Sequence, residues 1–241
     1  MQTRAFCEIN PFSQKVLKKH WPGIPVYEDV REVSRERLQS DGISGIDVVT
    51  GGFPCQDISV AGSQKGITAE RSGLWSEICR IIGDIRPRYA LMENVTNLLA
   101  GERGAWFSAV LRDLVEIGYD AEWHCIPASF VGLPHIRDRV WILAYPSSFG
   151  WHVLQDQASY NFARECLQDN IESGYRWKRE TCGHSMERVG WTVEPGVHGS
   201  NDAVPDQMDR IKACGNSIIP HIAYMWGRVI LEHEKRLVLR A

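Results

Sequence analysis

Apolar residues recur along the chain in short blocks with two different spacings. Three stretches repeat them every three or four positions, which is typical of one face of a helix: 11–20, 73–85 and 104–117. Short continuous apolar runs bounded by glycine, proline and polar residues are typical of buried strands: 4–9, 26–30, 46–50, 89–93, 121–127 and 140–144. Strands that alternate with helices predict an α/β fold with a doubly wound, mostly parallel sheet.

The regular pattern fades after residue 145 and returns before the C-terminus. Residues 146–204 are rich in glycine, serine and scattered tryptophans, which predicts a loop-rich subdomain or a flexible insertion. The stretch 211–239 again has apolar residues at helical spacing, around Pro220. We therefore expect a main domain over 1–145, an insert over 146–204, and a helical segment over 205–241 that returns to the main domain.

Composition places the chain among ordinary globular proteins. None of its apolar runs approaches the roughly 18 residues of a membrane span. Seven cysteines without a C-x-x-C pair favour free thiols in a reducing compartment, so we expect a cytoplasmic protein without a structural metal. The formal net charge of −3 does not by itself favour nucleic-acid binding.

One loop carries the most informative residues. The apolar run before residue 50 leads into G-G-F-P-C-Q-D-I-S, residues 51–59, where two glycines and a proline force a loop. A cysteine after a parallel strand lies where open α/β sheets bind ligands. Cys55 is either a buried structural thiol or a nucleophile. Its polar neighbours favour the nucleophile, because a core thiol needs apolar packing.

Three further motifs follow in order. In Y-A-L-M-E-N-V, residues 89–95, an apolar strand leads to the carboxylate of Glu93. Two arginines, at 137 and 139, precede the next apolar run, and G-N-S occupies 215–217. With P-C-Q, at domain-sized spacing, these motifs make the chain resemble the DNA cytosine-5 methyltransferases. The resemblance covers nearly the whole chain except roughly residues 146–200.

The resemblance implies a Rossmann-like methyltransferase that methylates C5 of a flipped cytosine in double-stranded DNA. It assigns catalytic roles to Cys55, Glu93, Arg137 and Arg139. The cysteine would attack C6, the glutamate would pair with N3, and the arginines would orient the ring. Taken alone, Glu93 would be more typical of a helix cap, and the arginines more typical of a surface ion pair with Asp138 or Glu122; their occurrence together with Cys55 favours the catalytic roles.

S-adenosylmethionine is the methyl donor that the resemblance implies. The expected cofactor contacts are Glu8, Asp29, Val30, Pro54, Leu74 and Asn216. Glu8 ends a strand, where a carboxylate can bind ribose hydroxyls, and Asp29 matches the position at the adenine edge. The residues expected to contact DNA are Gln56, Ser59, Arg176, Lys178, Arg179 and Arg188. The last four belong to a basic cluster with interleaved aromatics, which is either a solvated face or a nucleic-acid surface.

One element of the family is not matched. The family opens with a strand and a glycine-rich turn of the F-x-G-x-G-G kind, whereas this sequence matches from the following strand onward. We therefore expect the chain as given to bind S-adenosylmethionine poorly and to be marginally stable. Two alternatives stay open: a truncated or split methyltransferase that needs a second chain, and a methyltransferase acting on tRNA. Recognition sequence, oligomeric state and biological role, restriction-modification or another, are left open.

Overall fold

The computed structural model describes residues 1–54, 73–131, 137–149 and 217–240. The chain divides into two compact units, each described by itself. The first comprises Met1–Pro127 and Ile136–Leu154, and the second comprises Ala128–His135 and Gln155–Ala241. Within the described ranges, no helix combines the length and the apolar character that a membrane span requires.

Helices and strands alternate through the first unit, as the apolar pattern predicts. Its described strands are β1 (Phe6–Cys7), β2 (Val26–Tyr27), β3 (Val48–Gly52), β4 (Tyr89–Val95), β5 (Tyr119–Pro127) and β6 (Asp138–Pro146). The helices are α1 (Pro11–His20), α2 (Arg35–Ser40), α3 (Leu74–Ile85), α4 (Asn97–Ala100) and α5 (Ala105–Glu116). Short 3₁₀ turns occupy Val30–Glu32, Gly101–Gly104 and Ser147–Phe149. The predicted α/β class is thereby confirmed.

The described strands form two sheets with mixed pairing. β1 pairs with β2 in parallel, and a separate sheet has the order β3-β4-β6-β5. β3 and β4 are parallel, whereas β6 runs antiparallel to both β4 and β5. The sheet is therefore parallel only between β3 and β4, whereas the sequence predicted mostly parallel pairing. The reason lies in the connection: only the segment 128–137 separates β5 from β6, and a parallel crossover needs about a dozen residues or more.

Among the described residues of the first unit lie two apolar clusters, and α3 contributes to both. One contains Ile78 and Ile82 of α3, apolar side chains of α5, and alternate residues of β4 and β6, including the fully buried Ile142. The other contains Ile81 of α3 together with Tyr27, Val33, Leu38 and Ile43, and the partly buried Val49 of β3 packs against it. Because Val49 and Tyr27 share this cluster, the two sheets adjoin through side chains without sharing a backbone ladder.

The predicted boundaries are most accurate where a helix has a defined cap. The predicted helix 11–20 coincides with α1, whose first turn is capped by Asn10 and begins with a proline. The strands β1 and β2 have two residues each and are shorter than the predicted strands 4–9 and 26–30. The 3₁₀ turn Val30–Glu32 takes up the last residue of the second prediction. The helix α2 was not predicted.

The second unit contributes a long helix, α6 (Pro220–Arg240), and the 3₁₀ turn Ala128–Val131 to the described residues. α6 begins with the proline that the sequence placed inside the predicted helix 211–239. That position suits a first helical turn, where a proline loses no hydrogen bond. Of the residues expected on the apolar face of the predicted helix, Ile222, Met225 and Val229 are buried, whereas Ile218 and Leu231 are exposed.

Candidate active site

The site is built where β3 and β4 end side by side. Both strands run in the same direction, and their register pairs Gly52 with Glu93 at the carboxyl end of each. The loop that leaves β3 begins with Phe53 and Pro54 and leads directly to Cys55. The carboxyl ends of parallel strands are where open α/β sheets bind ligands, so the structure brings Glu93 to the edge from which the cysteine loop departs.

The carboxyl group of Glu93 lies between a glycine and an arginine. Its Oε1 accepts the Nε proton of Arg139 at 2.8 Å, and only 17% of its side chain is exposed. Its Oε2 lies 3.5 Å from the position that a β-carbon on Gly52 would take, which is an ordinary van der Waals distance. Burial raises the pKa of Glu93, and the positive charges of Arg139 and Arg137 partly oppose that rise. The site therefore favours a carboxyl group that holds a proton more readily than one in water.

Arg139 comes from β6, whose antiparallel pairing brings its first residues to the same edge. Arg139 lies opposite Val95, so Glu93 is its diagonal neighbour on the same face of the sheet. The ion pair with Glu93 replaces the surface pair with Asp138 or Glu122 that the sequence left open for this arginine. Glu122 instead accepts a hydrogen bond from the Tyr145 hydroxyl at 2.6 Å. Arg137 is partly buried, and its charge acts on Glu93.

Phe53 is held in place from two sides. Its ring packs on Trp75 with the centroids 4.9 Å apart, and its side chain is 6% exposed. Its backbone oxygen accepts a hydrogen bond of 2.8 Å from the side-chain amide of Asn94, which is itself only 3% exposed. Sequence analysis did not single out Asn94: its place directly after Glu93 in E-N-V marks the residue, but its contact with Phe53 depends on the register in which β3 and β4 pair.

A second group of predicted residues lies at the carboxyl ends of β1 and β2. Glu8 follows β1, donates its backbone N–H to Tyr27 O at 2.9 Å, and accepts the Asn10 N–H on its carboxylate at 2.7 Å. Asp29 caps the 3₁₀ turn after β2 and binds the Arg31 guanidinium at 2.5–3.0 Å. Hydrogen bonds from Arg31 lower the pKa of Asp29 to about 2. The parallel pairing of β1 and β2 thus places both carboxylates at one edge.

The remaining predicted residues are divided between described and undescribed segments. Val30 and Leu74 are partly buried and pack against the two apolar clusters, and Pro54 is exposed. The predicted residues outside the described ranges are Cys55, Gln56, Ser59, Arg176, Lys178, Arg179, Arg188 and Asn216.

The chain is similar to proteins described as methyltransferases. Type II methyltransferase M2.BsuMI of Bacillus subtilis (strain 168) is 33% identical over 222 residues, which cover 90% of this chain and 51% of that protein. Type II methyltransferase M.CviJI of a Paramecium bursaria Chlorella virus is 34% identical over 140 residues, covering 58% of this chain and 36% of that protein. A solved structure of a Spodoptera frugiperda DNMT2 mutant aligns with a TM-score of 0.47 and 20% identity, over 62% of this chain and 44% of that one.

The chain spans about half the length of the first of these curated relatives and about a third of the second. A family model described as C-5 cytosine-specific DNA methylase matches residues 1–195, which is most of the 241 residues. The match includes β3, β4 and β6 with the cysteine loop, Glu93 and both arginines. The chain therefore belongs to the C-5 cytosine-specific DNA methylase family.

Proposed function

We propose that this chain carries the catalytic machinery of a DNA cytosine-5 methyltransferase, with Cys55 as its nucleophile. The observation that carries the proposal is the position of the Glu93 carboxyl. It lies against Gly52, three residues before Cys55, while Arg139 holds its other oxygen. One edge of the sheet thus presents an acid whose pKa is raised, a permanent cation, and the start of a loop with a nucleophilic residue.

Cytosine C5 is a poor nucleophile, so methylation requires temporary loss of ring aromaticity. The Cys55 thiolate would form an S–C6 bond and shift electrons toward C5 while Glu93 donates its proton to N3. Arg137 and Arg139 would hold the ring at O2. After C5 has reacted, its proton leaves to solvent, and the electrons of that C–H bond re-form the C5–C6 double bond and expel the Cys55 thiolate. N3 returns its proton to Glu93, so both residues regain their starting forms. A base inside a duplex must first be flipped into this pocket, at a cost of a few kcal/mol.

Residues at the β1–β2 edge fit the cofactor that the family implies. S-adenosylmethionine supplies an electrophilic methyl group when bound. Its ribose hydroxyls and adenine amino group are donors that carboxylates can accept, and Glu8 and Asp29 present carboxylates at one edge. Arg31 now occupies both oxygens of Asp29 and would have to release one of them. Val30, Leu74, Pro54 and Asn216 would complete the cofactor site.

Covalent trapping tests the nucleophile. DNA that contains 5-fluorocytosine should hold the protein in a stable adduct, because fluorine at C5 cannot leave as a proton does. Cys55→Ala should abolish the adduct, whereas Cys125→Ala, which removes an exposed cysteine on β5, should leave it intact. Methylation without trapping, or trapping that survives Cys55→Ala, would reject the proposal.

Glu93→Gln tests the acid. We expect chemistry to slow by roughly 10² to 10⁴, the usual contribution of a positioned acid or base. DNA affinity should change much less, because the carboxyl group meets the base only after flipping. Single-turnover rates and binding isotherms separate the two effects, and an unchanged rate would leave Glu93 with a structural role.

We further propose that the insert over 146–204 selects the target sequence, with residues 1–145 and 205–241 forming the catalytic domain. Its basic residues with interleaved aromatics support this proposal. Substituting Arg176, Lys178, Arg179 and Arg188 singly should separate phosphate contacts, which weaken all sequences alike, from base contacts, which relax one position. Offering duplex DNA and tRNA in the same methyl-transfer assay decides between the two polymers.

We also propose that full activity needs one more strand, from an upstream segment or a second chain. The separation of the described strands into two sheets supports this, because β2 and β3 share an apolar cluster through Tyr27 and Val49 but do not pair. A parallel strand normally has a neighbour on each side and cover on both faces. Calorimetric titration of the 241-residue chain with S-adenosylmethionine should show weak binding. Adding a segment of about 20–30 residues, enough for a strand, a turn and a helix, should strengthen it. Tight binding by the chain alone would contradict the requirement.

A further inference from the structure

Asn94 is a buried polar residue to which the proposed reaction assigns no role. Its side chain is 3% exposed and uses both of its polar atoms. Nδ2 donates to the backbone oxygen of Phe53 at 2.8 Å, and Oδ1 accepts the backbone N–H of Val95 at 2.8 Å. A buried amide satisfied in this way is fixed in orientation, because rotating it would leave a donor and an acceptor without partners.

The contact with Phe53 lies where the backbone ladder stops. The last paired residues of β3 and β4 are Gly52 and Glu93, so the next pair along would be Phe53 and Asn94. At that position the side chain of Asn94, rather than its backbone, makes the hydrogen bond from β4 to the residue after β3. The backbone of Asn94 continues on its other side by pairing with Val140 of β6. Residues 93–95 of β4 therefore contact the exit of the cysteine loop on one side and the strand that carries Arg139 on the other.

We propose that Asn94 is a positioning residue that fixes the direction in which the loop bearing Cys55 leaves β3. This inference rests on the proposed function, in which Cys55 must meet C6 while Glu93 meets N3 of the same ring. Phe53 is separated from Cys55 by a single proline, whose restricted backbone transmits the direction set at the Phe53 carbonyl. The Trp75 ring locates the Phe53 side chain, and the Asn94 amide locates its backbone.

Three variants separate positioning from mere stability. Asn94→Asp keeps size and acceptor but removes the donor, and Asn94→Ser keeps a small polar group too short to reach Phe53. Asn97→Ala, at an exposed position three residues on, is the matched control. With 5-fluorocytosine DNA, we expect both Asn94 variants to form adduct roughly 10- to 100-fold more slowly, since small misplacements of reacting groups cost about that much. The final adduct yield should stay at the wild-type level.

If Asn94 only stabilised the fold, its variants would instead give a lower adduct yield at an unchanged rate constant. That result, or an unchanged rate and yield in both Asn94 variants, would overturn the proposal. The conservative Asn94→Ser should be the less impaired of the two, because Asn94→Asp directs a carboxylate at the Phe53 carbonyl oxygen.

Hydrogen exchange supplies a measurement that does not depend on catalysis. In the Asn94 variants, amides in peptides covering 51–56 should exchange at least 10-fold faster, while peptides from α5 keep their wild-type rates. If the wild-type chain methylates DNA without forming an adduct, the proposed nucleophile is wrong, and the exchange data alone decide whether Asn94 holds the loop. Unchanged exchange over 51–56 would reject that role whatever the activity.

Discussion

The ion pair between Arg139 and Glu93 offers a quantitative test of how the site is held together. The two charged atoms are 2.8 Å apart, and the side chains are only 20% and 17% exposed. Coulomb attraction over that distance is roughly 6 kcal/mol at an effective dielectric constant of about 20. Water that reaches the exposed fifth of each side chain screens part of it. We therefore expect a coupling of about 2–3 kcal/mol in the free energy of unfolding at pH 8.

A double-mutant cycle measures this coupling. Arg139→Gln, Glu93→Gln and the double variant are unfolded in urea beside the wild type. The exposed pair Arg112–Glu116, 3.8 Å apart and 57% and 51% exposed, provides the matched control. We expect its coupling to be below about 0.5 kcal/mol. A coupling at the first pair no larger than that of the control would refute the claim that the pair organises the site.

The coupling should also shrink as the pH falls, because protonation of Glu93 removes the attraction. Burial raises the pKa of Glu93, against the charges of Arg139 and Arg137, so the native state holds this proton more tightly than the unfolded chain. The contribution of Glu93 to the free energy of unfolding therefore falls as the pH rises from its ordinary pKa of 4.5 through the folded value. Arg139→Gln removes an opposing charge and deepens that loss. The free energy of unfolding of Arg139→Gln should be closest to that of the wild type at about pH 4. A difference between the two that does not depend on pH would contradict this reasoning.

Three further predictions concern the first unit. Gly101→Ala should lower the free energy of unfolding by about 2–3 kcal/mol, because the added carbon would lie 1.9 Å from the Trp106 ring. Gly83→Ala, where α3 has room for the added carbon, should raise it by about 0.5–1 kcal/mol, and urea unfolding compares the two variants. Asn10→Ala should cost about 1 kcal/mol in the same assay, because it removes the cap of α1. Desolvation by neighbouring groups and nearby carboxylates raise the pKa of the exposed Cys7 from 9.0 to about 11, so iodoacetamide at pH 8 should alkylate it about 100-fold more slowly than an ordinary thiol, as peptide mass spectrometry would show.

The sequence predicts what local patterns determine and misses what depends on register. The limits of α1 follow from Asn10 and the proline after it, which act within one turn. Six-residue α2 buries only Leu38, too few apolar positions to produce a period. Asn94 acts on the Phe53 carbonyl 41 residues away, and that contact exists only because β3 and β4 pair in one particular register. The role of Asn94 could therefore not be predicted before the pairing was known.

The two arginines show why the departure from a parallel sheet matters for function. They precede or begin a strand, whereas Glu93 and the cysteine loop lie near strand ends. In an all-parallel sheet, residues at a strand start lie at the opposite edge from residues at the ends of the other strands. Placing all of them at one edge, as the catalytic interpretation requires, therefore needs an exception to parallel pairing, for which the mostly parallel sheet predicted from the sequence leaves room without saying which strand is reversed. The antiparallel β6 is that exception, because it reverses one strand and brings Arg139 diagonally opposite Glu93. The short segment between β5 and β6, which prevents a parallel crossover, is thus what places a cation next to the buried acid.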